Sequence, residues 1–275
     1  MKIKVFITTY KNEIFLKNNL LSLLHSDLVN FEHEINIINN YTEKFELQEF
    51  CNLNKIKVYH NYLRPDFSTG HLSRNWNQSI INGFQDLKNP KCDILVLAQN
   101  DNIFQKNWAS YIIKMHEKYD FICVGSGDQY HSYLKEHIIK VGLWDERFCN
   151  IGFQEYDYFI RSIMYNKNKT TINDYSHQRI INRIENNIIL IDDKLIGAKR
   201  NDPIHLQSCE YHQISEKVLL SKWFKGFQVS KGLNWENIIT SINKNKWPQA
   251  SYLPNNIMYP YFEKNIDLNN KNYII

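Results

Sequence analysis

The chain lacks the features that would place it in several large classes. No stretch reaches the ~18 uninterrupted apolar residues that a membrane-spanning helix needs. The opening segment, MKIKVFITTY, has no long apolar core and no small-residue cleavage site, so it reads as the first strand of a mature fold rather than a secretory signal. Cysteine is sparse: Cys51, Cys92, Cys123, Cys149 and Cys209 are odd in number and scattered, with no CxxC spacing. That pattern argues against a disulfide frame or a zinc site and fits reduced thiols, so a cytoplasmic location is expected. The segment ITTYKNEIF contains no glycine, which argues against the Gly-rich basic phosphate loop that follows the first strand of a nucleotidyltransferase.

Excess charge is also missing from most of the chain. The net charge is +4, and from Gln213 onward eight lysines (217, 222, 225, 231, 244, 246, 264, 271) face four acids (Glu216, Glu236, Glu263, Asp267). The body is therefore neutral and the tail basic. A neutral body without a basic stripe excludes nucleic acid as the expected partner. For the tail, the readings are a solvated surface or an anionic partner.

What is present is a 275-residue chain, 43% hydrophobic and 23% charged, with enough length for a large core. Strand-like and helix-like segments alternate. KIKVFITTY, HEINIINNYT, KIKVYHNY, CDILVLAQND and YDFICVGSG read as strands. NEIFLKNNLLSLLHS, KFELQEFCNLN and HLSRNWNQSIINGFQDL, the last entered through Gly70, read as helices. Such alternation predicts an α/β fold with a mostly parallel sheet flanked by helices. Three strands end in small polar residues: Thr8-Thr9-Tyr10, Asn39-Asn40 and Asn100-Asp101. In open α/β sheets ligands bind outside the carboxyl ends of strands, so these ends predict one shared site.

Five segments in order resemble a nucleotide-sugar-dependent glycosyltransferase of the GT-A (Rossmann-like) fold, close to glycosyltransferase family 2. KVFITTYKNEIFLKNNLLSLL is similar to that family's opening strand, turn and helix, and INIINNYT to its second-strand signature. GHLSRNWNQSI resembles its Gly-x-x-x-Arg-Asn element, LVLAQNDNIFQKNW its metal-site strand with a downstream Trp, and VGLWDERFCNIGFQEYDYFIRS its acceptor and catalytic element. The resemblance covers roughly residues 1 to 165. It implies transfer of a sugar from a nucleotide-diphosphate donor to a hydroxyl of a glycan or lipid-linked acceptor, with inversion, in surface polysaccharide or glycoconjugate synthesis. A UDP-sugar is favoured, with GDP or dTDP as other donors. The other class kept open is a non-catalytic nucleotide-sugar or glycan-binding protein on the same scaffold, because fold alone does not establish function.

The resemblance also assigns residues. Where many members carry Asp-x-Asp, this chain has Gln99-Asn100-Asp101. Asp101 is the expected carboxylate ligand of a divalent cation, Mn²⁺ or Mg²⁺, with Asn100 beside ribose or phosphate. His177, His205 and His212 are candidates for a further ligand, with His205 of NDPIHLQS ranked first. Thr8, Thr9, Tyr10 and Asn39 are expected at the nucleotide, and Arg74 at the diphosphate. Glu155 aligns with the catalytic base, and Asp157 is the second candidate acid. Asp157 and Arg161, four residues apart, are placed to pair along a helix. Asp145 and Glu146 are expected to shape the acceptor subsite or cap a turn. Residues 1–205 are read as the glycosyltransferase domain. Residues 206–275 are read as a basic, aromatic-rich helical extension that packs on the domain, dimerises or touches a membrane surface.

Overall fold

The computed structural model of the chain describes residues 1–10, 12–40, 45–61, 72–124, 129–146, 148, 153–166, 169–171, 189–191, 219, 266–267 and 272–273. Its centre is β1 (Lys2–Thr9), buried along seven of its eight residues. β1 is flanked by β2 (Glu32–Asn39) on one side and β4 (Ile94–Gln99) on the other, both parallel to it. β3 (Lys57–His60) continues the sheet beyond β2, again parallel. Beyond β4 lie β7 (Tyr130–Tyr133) and then β6 (Phe121–Val124), with β7 running against both neighbours. The six-stranded order is β3-β2-β1-β4-β7-β6. The α/β, mostly parallel architecture expected from the sequence is therefore the one adopted.

Near-continuous apolar runs form the central strands because both sheet faces are covered. On one face, Phe6, Ile38, Leu95 and Leu97 pack with Trp76, Ile80 and Phe84 of α3 (Leu72–Phe84). Ile138 and Val141 of α5 (Lys135–Val141) and Tyr158, Phe159 and Ile163 of α6 (Gln154–Asn166) join that core. On the other face, Ile3, Val5, Ile7 and Val96 pack with Leu16, Leu20 and Leu23 of α1 (Glu13–Leu24). Cys51 of α2 (Gln48–Leu53) and Ile112 of α4 (Trp108–His116) complete it. Cys51, Cys92 and Cys123 are free and buried in these cores, as the reduced-thiol expectation requires.

The sequence reading did not name β7. Its residues, YHSY, look like a polar turn, yet all four are buried. His116 Nε2 meets Ser132 Oγ at 2.9 Å, and His131 sits among Trp76, Phe121 and Trp144 rings. Partners that are distant in sequence make this strand burial possible, and no local pattern announces them. A short β5 (Asn102–Phe104) pairs antiparallel with β8 (Ile189–Ile191). In the C-terminal stretch, Ile266–Asp267 pairs with Asn272–Tyr273; the rest of the extension from residue 206, apart from buried Leu219, lies outside the described residues. Among the described residues no helix is long and apolar enough to cross a membrane.

Candidate functional site at the carboxyl edge of the sheet

Parallel pairing puts the carboxyl ends of β3, β2, β1 and β4 on one edge, and register aligns their polar termini. His60 stands opposite Asn39, Asn39 opposite Thr9, and Thr8 opposite Gln99. The strand order reverses direction between β1 and β4, which makes the crevice between them the topological switch point. Thr8, Thr9 and Tyr10 line one side of that point, and Asn100 and Asp101 the other.

Hydrogen bonds tie these termini together. Asn100 Nδ2 donates to Thr9 Oγ1 at 2.9 Å, so the predicted β1 and β4 residues touch. Asn39 Nδ2 meets His60 Nδ1 at 3.1 Å, and Asn40 N donates to Thr9 O at 3.0 Å. Asp101 is 2% exposed at the turn after β4. That turn is held from behind by Asn19, fully buried on α1, whose Nδ2 donates to Asn102 O at 2.8 Å and Gln99 O at 3.3 Å. Sequence reasoning missed Asn19; an amide inside the leucine-rich face of an amphipathic helix was the available signal. Trp108, downstream of the triplet, is a core residue instead. It is fully buried and donates Nε1–H to Ser26 Oγ at 2.8 Å.

The first two turns of α3 lie at the same edge. Asn61, just after β3, donates Nδ2 to Gln78 Oε1 at 3.1 Å and accepts from Gln78 Nε2 at 3.2 Å. Arg74 stands in this part of α3, and its charge acts on Glu146. Asn77, fully buried, binds Glu146 Oε1 at 2.8 Å and both the N–H and the carbonyl of Trp144. Burial pushes Glu146 up to about 7, opposed by Asn77 and Arg74. The turn carrying Glu146 is joined to α6 by Trp144, whose ring stacks on Tyr158 at 4.1 Å and 3°.

Glu155 and Asp157 both fall in the first turn of α6, and they differ in burial and partners. Asp157 is fully buried and its Oδ2 accepts from Arg161 Nε at 3.0 Å and Nη2 at 2.9 Å. This is the helix pair that the spacing predicts. The second candidate acid is thereby engaged through one carboxylate oxygen in a buried ion pair within α6. Glu155 is half-buried. Phe153, immediately before α6, has φ 67, a left-handed conformation uncommon for a bulky residue and often found at functional turns. His205, His177, His212 and Gly70 lie outside the described residues.

Among the described residues no three His, Cys, Asp or Glu side chains cluster as a metal cage. Magnesium-like ions are commonly bound by one or two carboxylates together with substrate phosphates. A single buried Asp101 among amides fits an ion that arrives with a diphosphate.

No protein-family model and no curated protein matches the chain. Solved structures of Staphylococcus aureus TarS are similar to it. TarS 1-349 is 15% identical over 88% of this chain and 78% of that one, with a TM-score of 0.45. Its complex with UDP is 14% identical over the same shares, also at 0.45. A further TarS structure matches 58% of this chain at 15% identity and a TM-score of 0.43, and there the chain spans 34% of TarS, about a third of its length.

Proposed function

We propose that the chain is a glycosyltransferase that moves a sugar from a nucleoside-diphosphate donor, a UDP-sugar being favoured, to a hydroxyl of a glycan or lipid-linked acceptor. The observation that carries this reading is the convergence of Thr8, Thr9, Asn39, Asn100 and Asp101 at the switch point, with Arg74 at the same edge. Hydroxyls and amides suit a base and ribose, and a guanidinium suits phosphate. Asp101 would hold a divalent cation, which as a Lewis acid offsets charge on the leaving diphosphate. Glu155 is the proposed base. It takes the acceptor hydroxyl proton as that oxygen bonds the anomeric carbon, and the bond to the diphosphate oxygen breaks with its electron pair. Attack from the opposite face inverts the anomeric configuration. Glycan or glycoconjugate assembly at a cell surface is the proposed setting.

A thermal-shift panel of UDP, GDP, dTDP and CMP, each with and without Mn²⁺, tests the donor site. One nucleotide at ~100 Kd should stabilise the fold by roughly 2.7 kcal/mol, and Asp101→Ala should abolish the metal-dependent part. Glu155→Gln should keep that shift and lower transfer by about 10²–10⁴-fold. The lone acid of Gln99-Asn100-Asp101 favours a second reading, a nucleotide-sugar-binding protein without turnover. Donor hydrolysis equal in wild type and Glu155→Gln, with an intact shift, would select it.

A further inference from the structure

One buried amide braces the turn between β4 and β5 at both ends. Asn19 of α1 is fully buried in line with Leu16, Leu20 and Leu23, on a face where a leucine would pack. Its Nδ2 donates to Gln99 O at 3.3 Å and to Asn102 O at 2.8 Å, the two carbonyls that bracket Asn100 and Asp101. From another side the Gln129 carbonyl accepts from Gln99 N at 3.0 Å and from Asn102 Nδ2 at 2.7 Å. Asn100 Nδ2 ties the middle of the turn to Thr9 Oγ1 at 2.9 Å. The brace has a cost, because Asn19 Oδ1 is buried with no hydrogen-bond partner among the described residues. A buried acceptor left unmade destabilises a fold, and its retention calls for a reason. Ser22, one turn further along α1, accepts from Phe104 N at 3.0 Å and so grips the chain beyond the turn.

We propose that Asn19 is a positioning residue for the divalent cation of the donor site: it holds the 99–102 turn in one shape, and through that turn it sets how tightly Asp101 holds the ion. The inference rests on the donor-site reading above, with Asp101 as the cation's carboxylate. Fully enclosed, Asn19 touches neither ion nor nucleotide. Two acids on one ion can compensate for each other's looseness. The triplet Gln99-Asn100-Asp101 supplies a single carboxylate, so its placement has to come from the turn that carries it. A ligand ordered before binding loses less entropy when the ion arrives. Groups behind a metal's ligands orient them, and removing one weakens metal binding by about 10–100-fold.

Calorimetric titration of Mn²⁺ into the whole chain saturated with UDP, GDP or dTDP tests this, beside titration of the same nucleotide in EDTA. Asn19→Leu removes both donated bonds and suits the leucine-lined face. It should raise the Mn²⁺ dissociation constant by about 10–100-fold and leave the nucleotide's affinity in EDTA as in wild type. Ser22→Ala should leave both values as in wild type, since Ser22 grips Phe104 N outside the turn. A rise of less than about tenfold in Asn19→Leu overturns the inference. So does an equal loss of affinity in EDTA, or an equal rise in Ser22→Ala, and in each case the donor site stands. Circular dichroism checks the fold, and Asn19→Ala replaces Asn19→Leu if the latter does not fold. Loss of the fold in both overturns the inference, because the amide then acts on folding alone. Wild type that binds a nucleotide equally with and without Mn²⁺ removes the cation and this inference, while the nucleotide site stands. No binding of any of the three nucleotides overturns the donor-site reading and this inference with it.

Discussion

At the scale of single residues, two acids in one helical turn differ in burial and in partners. Asp157 is fully buried and closed on Arg161, which also donates Nη1–H to Val141 O at 2.9 Å. Breaking a buried ion pair by removing one partner costs about 3–5 kcal/mol, because the remaining charge stays desolvated. Asp157→Ala should therefore lower the unfolding free energy by that amount, measured by urea unfolding. Glu155→Gln at the neighbouring half-buried position should leave it within about 0.5 kcal/mol. The Asp157–Arg161 pairing was legible from i,i+4 spacing; the complete burial of Asp157 was not, because burial depends on which distant elements pack against α6, such as α5, whose Val141 carbonyl Arg161 reaches.

At the scale of elements, α3 has two ends with two tasks. Its first turns carry Arg74 and Asn77 to the site, and its last turn packs on β4. There Gly83 brings its backbone close to a core side chain: a Cβ would sit 2.5 Å from Leu95 Cδ1 and 3.3 Å from Leu95 Cγ. Leu95 is fully buried, so it has little room to retreat. Overpacking of this kind costs about 1–3 kcal/mol, against a helix-propensity gain of about 1 kcal/mol for replacing glycine. Gly83→Ala should be net destabilising by about 1 kcal/mol in chemical denaturation, with an unchanged m-value. The helix itself was readable from its apolar spacing. The role of Asn77 was not, since its partners lie 67 and 69 residues away.

At the scale of the whole molecule, buried titratable groups set the response to acid. Burial lowers His116 to about 4 and His137 well below its ordinary value. His137 is fully enclosed, with Ser162 Oγ at 3.2 Å and Asn166 Nδ2 at 3.0 Å. A histidine depressed in the fold binds its proton more readily when unfolded, so stability falls as pH drops below about 6.5. Each such group contributes a slope of about 1.4 kcal/mol per pH unit. Glu146, raised in the fold, has the opposite sign: its stabilisation is present at low pH and is lost as pH rises towards about 7. Two histidines outweigh one carboxyl, so the melting temperature should fall from pH 6.5 to pH 5. Glu146→Gln, lacking the opposing group, should show a steeper fall.

The sequence by itself determined the layered α/β order, because strand and helix periodicities are local and the apolar runs of β1, β2 and β4 allow only a sheet covered on both faces. It also determined which residue types end those strands. Tertiary structure decided what those residues do together. Register set Thr9 beside Asn39, the crossover of α3 carried Arg74 to their edge, and Asn77 fixed Glu146 from across the fold. It also made a buried strand of YHSY, in which the Ser132 and Tyr133 hydroxyls meet His116 and Trp144 from other elements. A local pattern records what a segment can become; which distant group meets it is fixed only when the sheet closes and long-range hydrogen bonds form.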